Sequence, residues 1–171
     1  MKAQELIVEK WLNSDQDLSI EKLKGKVIAI HAFQMLCPGC VLHGVPQAQK
    51  LFDIFSTDHV MVLGLHTVFE HHEAMQEKSL SAFLHEFRVK FPVGIDKPSV
   101  GIDIPQTMNL YQMRGTPTWI IIDKKGELKV HSFGQMEDLV LGAEIAKYAL
   151  EGAGANTNIY KTKSKGMMAH G

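Results

Sequence analysis

The only two cysteines of this chain stand two residues apart, in Cys37-Pro38-Gly39-Cys40, a few residues after the nearly continuous apolar run Val27–Phe33. A run that short and that apolar reads as a buried strand. Proline after the first cysteine suits the first turn of a helix, where its missing N–H would have had no partner anyway. Strand, dithiol, helix is therefore the local order, and it commits the chain to an α/β arrangement. Thiols at this spacing can close to a disulfide on one helical turn and reopen when a partner attacks. Zinc is the competing use, and it normally takes four ligands. The chain has no second Cys-x-x-Cys, and its nearest His-x4-His pair, His66 and His71, lies outside finger spacing. The pattern predicts neither a metal nor a cofactor.

At 171 residues, 45% of them hydrophobic, one globular domain with additions at its ends is expected. A formal net charge of −1 offers no field for nucleic acid or an anionic membrane. Glu5 and Glu9 interrupt the amino-terminal stretch, which lacks the apolar core of a signal peptide, and no later segment has the length of a transmembrane helix. The expectation is a cytoplasmic protein, where thiols are kept reduced and a disulfide is transient and catalytic.

Along the chain, residues 1–22 read as an extension that starts with an amphipathic helix through Trp11-Leu12. After the cysteines, Ala48, Leu51, Phe52 and Phe55 form one apolar helical stripe. Val60–Leu65 is a second buried strand, and Ser79 is a candidate cap for a helix carrying Leu80, Phe83, Leu84 and Phe87. Phe91–Asp96 reads as a short strand and Ile104–Met113 as a helix. Thr118–Ile122 and Leu128–Phe133 flank a polar Gly-containing loop, the signature of a β-hairpin. A last helix is predicted to bury Leu139, Ala143, Ala146 and Leu150, with a disordered tail over residues 151–171. The domain proper is residues 23–150, a mixed sheet flanked by helices.

A thiol attacks as its thiolate. Cys37 at the N-cap of the following helix would lie against free backbone N–H groups and the positive end of the helix dipole. Cys37 is thus the predicted nucleophile, and Cys40, one turn inside, the buried resolving thiol. Cys37-Pro38-Gly39-Cys40 after a buried strand, with Arg114-Gly115-Thr116-Pro117-Thr118 opening a late one, resembles the thioredoxin superfamily. Gly25-Lys26-Val27-Ile28, Phe91-Pro92-Val93 and Ile122-Asp123-Lys124-Lys125-Gly126 resemble its TlpA-like, redoxin branch over about residues 22–150. The resemblance implies a thioredoxin-like fold with an extra strand and helix between Leu65 and Tyr111. It also implies a cis Thr116–Pro117 bond whose backbone binds substrate beside Cys37, and partners that are protein or small-molecule disulfides together with a thiol reductant.

The chain departs from that pattern in three ways. Leu36 replaces the aromatic residue usual before the first cysteine, and Pro46 comes one residue late, so a bulge is expected after Gly44. His31 and His43 occupy positions where relatives often carry a buried polar or acidic group, which makes them candidates for handling the Cys40 proton. Core packing for His31 and simple solvation for His43 are the competing readings. Glu70, in the cluster His66–His72 after the second strand, is a further candidate, since the carboxyl ends of parallel strands face the site. That cluster could equally be a solvated loop or bind a metal. Thiol–disulfide exchange is the leading function. A thiol peroxidase is the alternative, although Ile30 and Gln34 stand where peroxiredoxins place proline and threonine. Copper delivery through Cys37, Cys40 and a histidine is the third reading.

Overall fold

The computed structural model describes residues 1–162. Six strands form one mixed sheet: β1 (Val8–Leu12), β2 (Val27–Phe33), β3 (Val60–His66), β4 (Val93–Asp96), β5 (Thr118–Ile122) and β6 (Leu128–Phe133), in the spatial order β1-β4-β3-β2-β5-β6. β2, β3 and β4 run parallel, whereas β5 lies antiparallel to both β2 and β6 and β1 antiparallel to β4. Every residue of β2 is buried, as its unbroken apolar sequence requires of a strand paired on both sides and covered on both faces.

Helices α1 (Val45–Ile54), α2 (Glu77–Glu86) and α4 (Asp138–Leu150) pack on one face through Ala48, Leu51, Leu80, Leu84, Leu141 and Ile145. The short α3 (Gln106–Leu110) covers the other face through Met108, together with Ile20 and Leu23 from the turns before β2. The chain therefore has the mixed, helix-flanked sheet expected from its sequence. α2 and β4 are the strand and helix inserted between β3 and the hairpin.

Several expectations need correction. The amino-terminal segment is no helix: Val8–Leu12 is the edge strand β1, with Trp11 buried. Val8, Trp11 and Leu12 suit a helical stripe as well as a strand, and the open edge of β4 decides between them. α2 begins at Glu77, ahead of Ser79, and α3 is a five-residue helix that starts after Pro105. α4 turns a different stripe inward, burying Leu141, Ile145 and Ala149 while Leu139 is 88% exposed. Its mean composition is apolar on several sides, so periodicity alone did not select the face. The expected tail is ordered through its first part. Ile159 is buried, its carbonyl accepts the Ser56 N–H at 2.9 Å, and Lys161 N–H donates to the Ile54 carbonyl at 2.8 Å. The disorder expected for the remainder, 163–171, lies outside the described residues.

Candidate functional site

The helical path after β2 starts at Pro38, which leaves Cys37 as the residue just outside. The Cys37 carbonyl accepts the Val41 N–H at 3.0 Å, and its Sγ accepts the Cys40 N–H at 3.4 Å. This is N-cap geometry with sulfur as the acceptor, satisfying one of the first-turn donors. Both cysteines are free thiols, Cys37 half-buried and Cys40 buried. Burial, followed by the hydrogen bond with the Cys37 sulfur, pushes the Cys40 thiol up to about 12. Cys40 thus stays protonated while the dithiol is at rest.

The loop before β5 closes the site from the other side. The Thr116–Pro117 bond is cis, and the Thr116 carbonyl lies 3.6 Å from Cys37 Sγ, in position to accept the thiol proton. A Cβ on Gly39 would stand 3.7 Å from Pro117 Cδ, so the backbone of the dithiol turn and the proline ring are in near contact. Behind the loop, Phe133 packs so closely on Gly115 that a Cβ there would lie 2.9 Å from its ring.

Past Cys40 the helix widens. Residues Cys40–Gly44 form a π-turn in which the Val45 N–H reaches back to the Cys40 carbonyl, before the α-helix resumes with Pro46 in its first turn. The bulge thus precedes Val45, where a sequence reading placed it after Gly44. Proline explains the location: it donates no N–H, so the ladder is weakest just ahead of it. His31 lies directly beneath. A Cβ on Gly44 would come within 2.1 Å of His31 Nε2, so only glycine admits the ring. The imidazole stacks on Phe33 at 5.7 Å and tilts against Trp119 at 4.9 Å between centroids. Neither of its nitrogens has a hydrogen-bond partner among the described residues, and burial pulls its pKa down to about 3.

The approach to Cys37 is held by two residues that the sequence reading did not select. His66 Nε2 accepts the Met35 N–H at 3.1 Å, which places the ring proton on Nδ1, and burial pulls this group down to about 4. Gln34 is buried, its Oε1 accepting the Phe69 N–H at 3.1 Å and its Nε2 donating to Glu70 Oε1 at 3.3 Å. Glu70 is therefore exposed and engaged with Gln34, and His43 is exposed on the π-turn. Of the three proton-handling candidates, only His31 is buried next to the helix that carries Cys40. Leu36, beside Cys37, is 58% exposed. Among the described residues, no three His, Cys, Asp or Glu side chains gather as a metal-ligand set, and no helix is long and apolar enough to cross a membrane.

Neither a scan of protein-family models nor a search of curated proteins finds a match. Solved structures do match. A crystal structure described as a thioredoxin-like superfamily protein is 60% identical, covering 87% of this chain and 96% of its own, with a TM-score of 0.85. A thiol-disulfide isomerase from Corynebacterium glutamicum is 48% identical over 85% of this chain and 94% of its own, with a TM-score of 0.82. StoA from Bacillus subtilis shares the fold at 23% identity and a TM-score of 0.59, covering 80% of this chain and 97% of its own.

Proposed function

The chain belongs to the thioredoxin-like superfamily, and from that premise we propose that it is a thiol–disulfide oxidoreductase of the TlpA-like redoxin branch. One observation carries the reading: a half-buried Cys37 sulfur capping the helix through the Cys40 N–H, with Cys40 buried behind it. The Cys37 thiolate attacks one sulfur of a substrate disulfide, which expels the other half as a thiolate and leaves a mixed disulfide. Cys40 then loses its proton and attacks Cys37 Sγ. The second half of the substrate departs as a thiolate, and a Cys37–Cys40 disulfide remains. A thiol reductant restores the dithiol by the same exchange in reverse.

The substrates are protein or small-molecule disulfides. The backbone of Thr116, next to Pro117, lies against Cys37 and is suited to pair with an extended substrate. His31 serves the second step in preference to His43 or Glu70. A ring that resists protonation as strongly as this one is a poor proton acceptor. Its neutral N–H, unpartnered at rest and lying against Gly44, is instead the donor that has to turn toward the Cys40 thiolate as that forms.

The test is Cys40→Ser. This variant should accumulate Cys37 mixed disulfides with partner proteins and lose turnover of disulfide substrates. If the wild-type protein instead consumes peroxide rapidly with a thiol donor and barely exchanges disulfides, a peroxidase replaces this reading.

A further inference from the structure

β2 delivers Cys37, and the parallel strands β3 and β4 end on the same edge of the sheet. Beyond β4, the segment 97–105 carries an unusual load of exposed apolar side chains, with Val100 fully exposed and Ile102 53% exposed. The segment is fixed in place. At its base, Gln106 N–H donates to the Lys97 carbonyl at 2.8 Å and Gln106 Nε2 to the Pro98 carbonyl at 3.0 Å. Near its end, His72 Nε2 lies 3.0 Å from the Asp103 carbonyl. The segment is thereby tied to the loop that Gln34 anchors beside the cysteines.

Between these loops is a cavity of about 410 Å³ whose floor is apolar, formed by Val68, Met75, Ile95, Ile102 and Pro105. Carboxylates stand at its rim. Glu77 is paired with Lys10, whereas Glu9 and Asp103 have no ion-pair partner among the described residues. Asp96 also faces the cavity, but it accepts the Thr107 and Met108 N–H groups at 2.7 and 2.9 Å. An apolar floor below unpaired carboxylates suits a side chain with an aliphatic stem and a cationic head.

We propose that this groove seats a lysine or arginine side chain of the polypeptide whose disulfide is exchanged at Cys37. The proposal rests on the dithiol reading above and narrows its substrate class to basic polypeptides. Neighbouring strands lie about 4.8 Å apart, so β4 leaves the sheet roughly 10 Å to the side of β2. An extended peptide advances about 3.3–3.6 Å per residue. The basic residue therefore belongs about three to five positions from the half-cystine.

The test uses the full chain and synthetic disulfide peptides carrying arginine, norleucine or glutamate four residues from the half-cystine, on either side. Arginine should exceed glutamate in kcat/KM by about fivefold or more, with norleucine between, and added salt should shrink the ratio. In the Glu9→Gln/Asp103→Asn double variant the ratio should fall to within about twofold, while exchange with glutathione disulfide stays at the wild-type rate. Three outcomes overturn the groove alone: a wild-type ratio near one, a ratio that survives in the double variant, or an equal effect of arginine placed next to the half-cystine. Absence of exchange with every disulfide, glutathione disulfide included, overturns the dithiol reading and the groove with it.

Discussion

Gly44→Ala tests how tightly the dithiol helix sits on the sheet. The added methyl would lie 2.1 Å from His31 Nε2 and 2.5 Å from Cε1, well inside contact distance. The ring has nowhere to go, being fully buried with Phe33 on one side and Trp119 on the other. Overpacking of this kind costs about 1–3 kcal/mol, and the depth of the overlap argues for the upper end. At about 2–4 °C per kcal/mol for a chain of this size, 3 kcal/mol amounts to a loss of about 6–12 °C in Tm. His31→Ala on its own opens a cavity but also removes two buried nitrogens that lack partners. In the double variant the new methyl enters the vacated space, so the two losses should fall short of additivity by about 1–3 kcal/mol. Urea unfolding of the four reduced proteins supplies the cycle. A Gly44→Ala loss below about 0.5 kcal/mol, or strict additivity with His31→Ala, would refute the packing argument.

Alkylation of the reduced protein between pH 6 and 9 should label Cys37 first, because Cys40 is buried with its thiol pushed up to about 12; faster labelling of Cys40 would reverse the assigned roles. His31→Leu comes close to the side-chain volume but loses the N–H, and should slow Cys40 attack on a Cys37 mixed disulfide by about tenfold or more while initial attack by Cys37 changes little. Stopped-flow measurement of both half-reactions separates this from a packing role, which would leave resolution near wild type. The same variant bears on acid stability. The folded-state pKa of His31 lies near 3 against an ordinary 6.5, so the unfolded chain binds the additional proton between those values. Its neutral form is fully compatible with the fold above pH 6.5, and stability is lost as pH falls from there toward 3. His66, near 4, adds to the same slope down to its own value. In His31→Leu the slope of unfolding free energy against pH should become visibly flatter across that window, and an unchanged slope would show that His31 is not the group responsible.

The dithiol turn and the central strands were legible because their signals are short and have few competing solutions. An apolar run such as Val27–Phe33 fits only a covered strand, and a cysteine followed by proline at a helix start fits a cap. The edges were not legible. Val8–Leu12 satisfies two periodicities, and what settled it was an unpaired partner in β4, more than 80 residues away in sequence. The inward face of α4 was misread for a related reason: two apolar stripes share the helix, and the sheet chooses between them. At the site, His31 stood out as an odd residue in a strand, but its lack of any polar partner is a fact of packing that no spacing encodes. Gln34 and His66 give weaker signals still. Their work is done through the backbone N–H groups of Phe69 and Met35, and a backbone group leaves no mark in a sequence.

One residue added to a regular helix rotates everything after it by about 100°. Had the extra residue between Cys40 and Pro46 been spread along α1, either Ala48 and Leu51 would have swung off the sheet or Cys37 would have left its capping position. Confining it to the wide turn at Cys40–Gly44 lets both ends keep their register. Leu42 and His43 are both exposed on that turn, on the side away from the sheet's core. They give the chain two adjoining positions next to its redox pair where side chains can change, and a contact surface with them, without the change being transmitted to the core.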